Sequence, residues 1–367
     1  MTIKQLLFEL EKWIPTQIAW SKDNVGIQVG EVESKIQNIL LALDLNLEII
    51  EEAKSKSANL IITHHPLFFN PARSITSNTL QGKLTIELLK NNISCYAAHT
   101  NLDSVNGGVN TTLANLLDLK EIKILAPLQD SLCKFIVFVP EKNVEQVAKA
   151  IHSVGGGMFL KYDKCSFRTK GTGTFRGSSD SKPAIGKPNK FEYAKEIKIE
   201  ILTEHWKISE ILKAVRENHP YEEIAYDIIP LNNTHHNFGL GAYGLLKKKM
   251  KSIEFLKFVK NKLKVSAIRY SGNISSVSKV AVCGGSGSKY LLNAIQKGAD
   301  AFITSDISYH TFQEYSEKIL LIDAGHYETE HHVLPSLQKN LEKIIYNHKG
   351  TSKVHVSHKM KNPVSYL

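Results

Sequence analysis

Between Asn38 and Thr63 the chain reads NILLALDLN, then LEIIEEAKSKSA, then NLIIT: an apolar run, an amphipathic helical pattern and a second apolar run. Strand, helix and strand in such close succession form a βαβ unit, whose strands are parallel. A further helix, GKLTIELLKNN, and a further strand, ISCYAAHTNLD, continue the pattern. The C-terminal third has the same alternation, in KVAVCGGSG, SKYLLNAIQKGA, DAFITSD, SYHTFQEYSEK, ILLIDAGH and YETEHHVLPSLQKNLEKII. Setting SANLIITHH beside GADAFITSD gives a shared Ala-[Asn/Asp]-x-[Ile/Phe]-Ile-Thr core with Thr63 opposite Thr304, the mark of an internal duplication. The pattern predicts an α/β fold with two similar halves.

The middle of the chain has another texture. CKFIVFVPEKNVEQVAKAIHSVGGG reads as strand then helix, Gly171 to Pro188 as a long loop, and EIKIEILTEHWKISEILKAVRENHPYEEIAYDIIPL as strand, helix, strand. This is an α+β module of ferredoxin-like type, self-contained enough to be an insertion. The expected division is 1–126 for the first half of the core, 127–245 for the insert and 246–367 for the second half, with the Gly-rich FGLGAYG closing the insert.

Four cysteines, far apart and without a C-x-x-C pair, indicate neither a disulfide framework nor a zinc ribbon. The N-terminus, MTIKQLLFELEKWIP, carries charges within its apolar pattern and reads as an amphipathic first helix, and no stretch approaches a membrane span. A cytoplasmic protein is expected. Lys and Arg exceed Asp and Glu by 46 − 36 = 10, but the excess is spread along the chain. Its densest cluster, Lys247-Lys248-Lys249-Met250-Lys251, reads as a solvated helix start or linker in preference to a nucleic-acid patch.

Ligands of parallel α/β sheets bind beyond the carboxyl ends of the strands. Standing there are His64 and His65, His99 and Asp103, Ser305 and Asp306, and His326 and Glu330. His326 and Glu330 lie four apart at a helix start and share a face, whereas His331 and His332 turn away from it and read as exposed or core-satisfying. No P-loop lysine and no nucleophile elbow is present. His64, His65, Asp103, His326 and Glu330 offer five nitrogen and oxygen donors without a thiolate, which suits Zn²⁺, Fe²⁺, Mn²⁺ or Co²⁺. The turn CGGSGS at 283–288 could hold an anion on its amides or be a plain tight turn; His310, four residues after Asp306, could carry protons or be structural.

DNVGIQVG, ITHHPLFF, HTNLDSVNGGVNTTLANLL, GLGAYG, ADAFITSDISYH and DAGHYETE resemble, in order, the motifs of the Nif3-like family, also called GTP cyclohydrolase I type 2 homologues. The middle module is similar to the PII/CutA-like insert of its longer bacterial members. The chain departs from the family in Ser305 of TSD, in WSKDN, and near Ala242, none of which removes a donor. The resemblance implies two divalent metals held by His64, His65, Asp103, His326 and Glu330, with Glu330 bridging, and a toroidal homohexamer. Adjacent residues at a strand end diverge, so His64 would serve one metal and His65 the other.

The expectation is therefore a metal-dependent hydrolase using metal-activated water on a nucleotide or related substrate, with His99 and His310 moving protons and zinc the first choice of metal. The reading from another class is a non-catalytic metal chaperone or regulator; a basic ring binding nucleic acid is the weakest.

Overall fold

The computed structural model describes residues 1–367, and its strands fall into three sheets in a mixed α/β fold. The chain forms two compact units, residues 1–127 with 237–367, and residues 128–236.

In the larger unit the first sheet runs, in spatial order, Gly26–Val29, Ser94–Ala97, Ala58–Thr63, Asn38–Ala42 and Val354–Val356. Only the Gly26–Val29 edge is antiparallel to its neighbour; the other pairs are parallel. The second sheet runs Arg269–Ser271, Leu320–Asp323, Ala301–Thr304, Ser276–Val282, Gly239–Lys251 and Lys120–Pro127. It has three parallel strands, against the first sheet's four, and likewise an antiparallel edge, here against the third of them. Register aligns Ala42, Thr63 and Ala97 at one sheet end, and Thr304 with Asp323 at the other. Each sheet thus delivers several loops to one edge.

The parallel strands read as unbroken apolar runs because both faces are covered. Leu40, Ile61 and Cys95 pack against Ile49, Ile50 and Leu88 of the helices Leu47–Ser55 and Leu80–Lys90. Side chains of the second sheet pack on one face against Phe255, Val259 and Leu263, and on the other against Leu291 and Ala294. The first helix, Ile3–Glu11, is set by a capping box between Thr2 and Gln5 and buries Ile3, Leu6, Leu7 and Leu10. No helix is long and apolar enough to cross a membrane.

The two halves are interlocked in sequence. The helix Val109–Leu116 packs Leu113 and Ala114 into the core of the second sheet, and Lys120–Pro127 is that sheet's edge, although both precede the middle segment. Conversely Val354–Val356 returns to the first sheet, beside Asn38–Ala42. There the buried Glu52 carboxylate accepts hydrogen bonds from the Ser357 hydroxyl and the amides of His358 and Lys359, fastening the segment that follows.

The smaller unit is a β-α-β-β-α-β segment whose antiparallel sheet runs Phe167–Arg176, Phe191–Glu204, Leu132–Pro140, Tyr226–Leu231. It ends at 236, and the GLGAYG segment belongs to the long core strand Gly239–Lys251. Lys247 to Lys251 correct the expectation of a helix start or linker: they extend that strand, and the helix begins at Ser252.

Candidate metal centre

The strand Ala58–Thr63 ends where the Thr63 hydroxyl donates to the carbonyl of His65, 2.8 Å away, and the amides of His64 and His65 donate to Ala42 and Leu43. The amides at the tip are therefore committed, and the two rings do not point opposite ways as adjacent residues of an extended strand would: their centroids are 5.0 Å apart. His64 is buried, with Nδ1 2.7 Å from the Ala98 carbonyl; His65 is partly open, with Nδ1 2.8 Å from Asp44 Oδ1. From the next strand end, His99 turns Nδ1 to Asp23 Oδ1 at 2.8 Å, and the one-turn helix Thr100–Asp103 carries Asp103 inward. In the second half Gly325, at φ 87°, begins the short helix His326–Glu330, and His326 Nδ1 meets Asp306 Oδ2 at 2.6 Å. A residue with a side chain is rarely found at that φ.

In all four imidazoles Nδ1 faces an oxygen acceptor, which directs the lone pair of the neutral ring to Nε2, the arrangement of histidines that bind metals. The Nε2 atoms converge. Those of His65 and His326 are 3.4 Å apart, and they lie 3.0 and 3.2 Å from Glu330 Oε2. His64 Nε2 lies 3.7 Å from the other oxygen of that carboxylate, Oε1, and 3.6 Å from Asp103 Oδ1. Donors about 2.1 Å from a common tetrahedral cation stand roughly 3.4 Å apart, the spacing found here. His65, His326 and Glu330 form one group whose ligand atoms could hold a cation, and His64, His65 and His99 form another.

Burial sharpens the case. Glu330 is buried and Asp103 nearly so, and His64 Nε2, Asp103 Oδ1 and Glu330 Oε2 have no aligned hydrogen-bond partner. Leaving a buried carboxylate uncompensated costs on the order of 3–5 kcal/mol, so the cluster calls for positive charge at its centre. Burial pushes Glu330 up, but attraction to His64 and the close approach of the His326, His64 and His65 rings outweigh it and hold the acid well below its ordinary value. Asp103, where burial wins, is raised. Against burial, Asp44 and Glu330 lift His65 to about 10; the neighbouring Glu330 carboxylate lifts His326 to about 9. The same donors thus compete for protons and for divalent cations. The chemistry and spacing of the set fit a metal.

The Gly-rich turn 283–288 supports the cluster and does not cradle an anion through Gly284, Gly285 or Gly287. Their amides already donate to Asn110 Oδ1, Thr329 Oγ1 and Thr304 Oγ1. Gly285 has φ 59°, and a Cβ there would collide with Glu330 Oε1. The turn is glycine so that the carboxylate can lie against it. His310 is exposed, with its ring against Tyr309, and is not among the converging donors. Asp306, at φ 55°, turns the chain before the helix Tyr309–Tyr315 begins, so His310 does not share a helical face with it. His331 stacks on Tyr327 and is half-buried, as is His332.

Sequence reasoning did not find Asp44, Asp23, Asn110, Thr329 or Gly285, nor the role of Asp306. Asp44 alone left a usable signal, an acid directly after the apolar run ILLAL.

The family model described as Duf34/NIF3 (NGG1p interacting factor 3) matches residues 1–363. A relative from Halalkalibacterium halodurans, named "GTP cyclohydrolase 1 type 2 homolog", is 37% identical over 360 residues, 97% of this chain and 96% of its own length. One of the same name from Bacillus subtilis is 37% identical over 367 residues, 99% of this chain and 98% of its own. Among solved structures, a Bacillus cereus protein related to NIF3 superposes with TM-score 0.86 at 34% identity, covering 100% of this chain and 99% of the other. A Staphylococcus aureus protein does so with TM-score 0.80 at 30% identity and the same coverage.

Proposed function

The chain belongs to the Duf34/NIF3 family, and from that premise we propose that it is a dinuclear metalloprotein acting as a hydrolase on a nucleotide or related substrate. The observation that carries the reading is the division of one carboxylate between two donor sets. Glu330 Oε1 faces His64, which is also beside Asp103, while Oε2 faces His65 and His326. His64 and Asp103 would hold one cation, His65 and His326 the other, and Glu330 both. Zinc is our first choice, with iron, manganese or cobalt as the alternatives that such donors admit. Two such ions, when bound, supply Lewis acidity toward a substrate oxygen and lower the pKa of water.

The chain's own contribution is orientation and proton handling. Hydrogen bonds from His99 and Thr100 override burial and hold Asp23 at about 2, so this carboxylate stays ionised and fixes the His99 ring. His99 would thereby present Nε2 to a reacting group as a proton carrier. We assign the 128–236 unit to the ferredoxin-like, PII/CutA-like type, which its strand order supports. We also propose a cytoplasmic homohexamer.

Metal counting on the purified protein, together with release of formate from GTP and cleavage of generic phosphoesters, tests this. About two metals per chain and turnover abolished by His65→Ala are expected. Turnover that survives the substitution sinks the hydrolase; a metal-loaded chain inert on a broad panel would favour a metal chaperone or regulator instead.

A further inference from the structure

The four-stranded sheet of residues 128–236 packs its helices against part of one face. Phe135, Val137 and Val139, with Ile197, Ile199 and Ile201, meet Val147, Ile151, Ile211 and Val215 there. The strands Phe167–Arg176 and Phe191–Glu204 run on beyond this core as a two-stranded ribbon. Their register is unbroken, pairing Thr172 with Lys195, Thr174 with Tyr193 and Arg176 with Phe191. Residues directly opposite share a face, and faces alternate along each strand. Lys170, Thr172, Thr174 and Arg176 therefore stand beside Phe191, Tyr193 and Lys195, on the same side as the helices but past their reach, and all seven are exposed.

The two faces of the ribbon differ in charge. Glu192 and Glu196 alternate to the other face, and the 177–190 loop folds over that side: a Cβ on Gly186 would meet Glu192, and Pro183 and Ala184 close a cavity there with Phe175 and Glu196. The open face has cations and no carboxylate of its own strands. Arg176 and Lys195 have no ion pair. Lys170 lies 3.3 Å from Glu141, but both side chains are open to water, where such a pair is worth little. Beside these cations Phe191 and Tyr193 are 60% and 69% exposed, with ring centroids 5.3 Å apart.

We propose that the open face of this ribbon binds single-stranded nucleic acid, with bases stacked on Phe191 and Tyr193 and phosphates held by Arg176, Lys195 and Lys170. Every base has a π-face, so exposed aromatics on a cationic track hold single strands with little regard to sequence. Thr172 and Thr174 add hydroxyls that can donate to phosphate oxygens. Charge alone would suit any polyanion; the two open rings are what select bases, and a duplex, whose bases are already stacked, cannot use them. Threonines in place of aliphatic side chains between the cations speak against a membrane as the partner.

Fluorescence anisotropy of the full chain with labelled oligothymidylate and oligouridylate of about 15 nucleotides tests this and separates DNA from RNA. Binding of at least one is expected, with log K falling against log salt at a slope of about −2, the value for three phosphates neutralised on a single strand. Phe191→Leu and Tyr193→Leu should each weaken binding about fivefold or more at every salt concentration and leave the slope unchanged. Arg176→Gln and Lys195→Gln should each make the slope shallower by about 0.7. Leucine keeps apolar cover on the ribbon, and an unchanged melting temperature verifies that the fold is intact; if a leucine variant does not fold, the slopes of the glutamine variants still decide. No binding to either strand at about 50 mM salt would overturn the proposal. So would equal binding of a duplex of the same length, of polyglutamate or of phosphatidylserine vesicles, or indifference to both leucine substitutions.

Discussion

The two halves of the larger unit are built to one plan and furnished differently. In each, three successive strands of the half run parallel beside an antiparallel edge, the first sheet adding Val354–Val356 as a fourth, and the middle one of the three ends in Ile-Thr, at Thr63 and at Thr304. In each, the third strand is followed by His-x-x-x-acid, His99 to Asp103 and His326 to Glu330. The difference lies at the middle strand end, where the first half has His64 and His65 and the second has Ser305 and Asp306. Asp306 does not join the converging donors; it hydrogen-bonds the back of His326. In the first half that orienting task falls to Asp44 and Asp23, from other loops. Two halves of one plan have thus divided the labour. One half brings most of the imidazoles, and the other brings the carboxylate that faces both groups.

That asymmetry can be broken at several strengths. Glu330→Ala should have the largest effect, with metal content falling to near zero, whereas Asp103→Ala should lose at most one ion. Elemental analysis reads both, and equal losses would mean that Glu330 is not shared. Asp44→Ala and Asp306→Ala should each weaken metal affinity by about 10–100-fold, the usual toll for removing the acid behind a histidine ligand. A competition titration with a chromophoric chelator measures this. If only the Asp44 variant responds, the orienting role given to Asp306 is wrong. Gly285→Ala removes no donor, yet it sets a methyl against Glu330 at φ 59°. It should cost on the order of 1–2 kcal/mol in denaturant unfolding and lower metal occupancy as well.

The smallest effect concerns protons. His65 at about 10 and His326 at about 9 retain protons at neutral pH that a metal must displace. Metal uptake at pH 7 should release about two protons per chain, visible as a dependence of binding heat on buffer ionisation enthalpy. In metal-stripped protein the raised histidines contribute stability that is fully present below 6.5 and lost as pH climbs through 9 to 10. The depressed Glu330 contributes stability present above 4.5 and lost on acidification below it. The melting temperature of the stripped protein should therefore fall gently above pH 6.5, and less so in His65→Ala.

Much of this was legible in the chain. Parallel strands follow from strand–helix alternation, and donors at strand ends follow from where such sheets bind ligands. What escaped was whatever depends on distant partners. Asp23 acts on a residue 76 positions away, and nothing near it in sequence marks the pairing. Lys247 to Lys251 misled because the pairing is irregular between Leu245 and Met250, and the lysines there are as exposed as those of a helix start. The FGLGAYG segment looked like a boundary because it is glycine-rich, but Gly239 and Gly241 are there for close backbone approach to Ala126 and Val282 in the neighbouring strands.

The return of Val354–Val356 to the first sheet has a consequence for how the chain is made. Lys353 and Asn38 are hydrogen-bonded across 315 residues of sequence. A ribosome releases the N-terminal half long before the strand that covers its edge exists, and domains usually fold in the order in which they emerge. Here the first sheet is finished last. Until then Asn38–Ala42 offers an open edge to any other extended segment nearby, and completing the sheet requires closing a loop that spans nearly the whole chain. A nascent chain stalled before residue 354 should therefore be the form that chaperones hold longest.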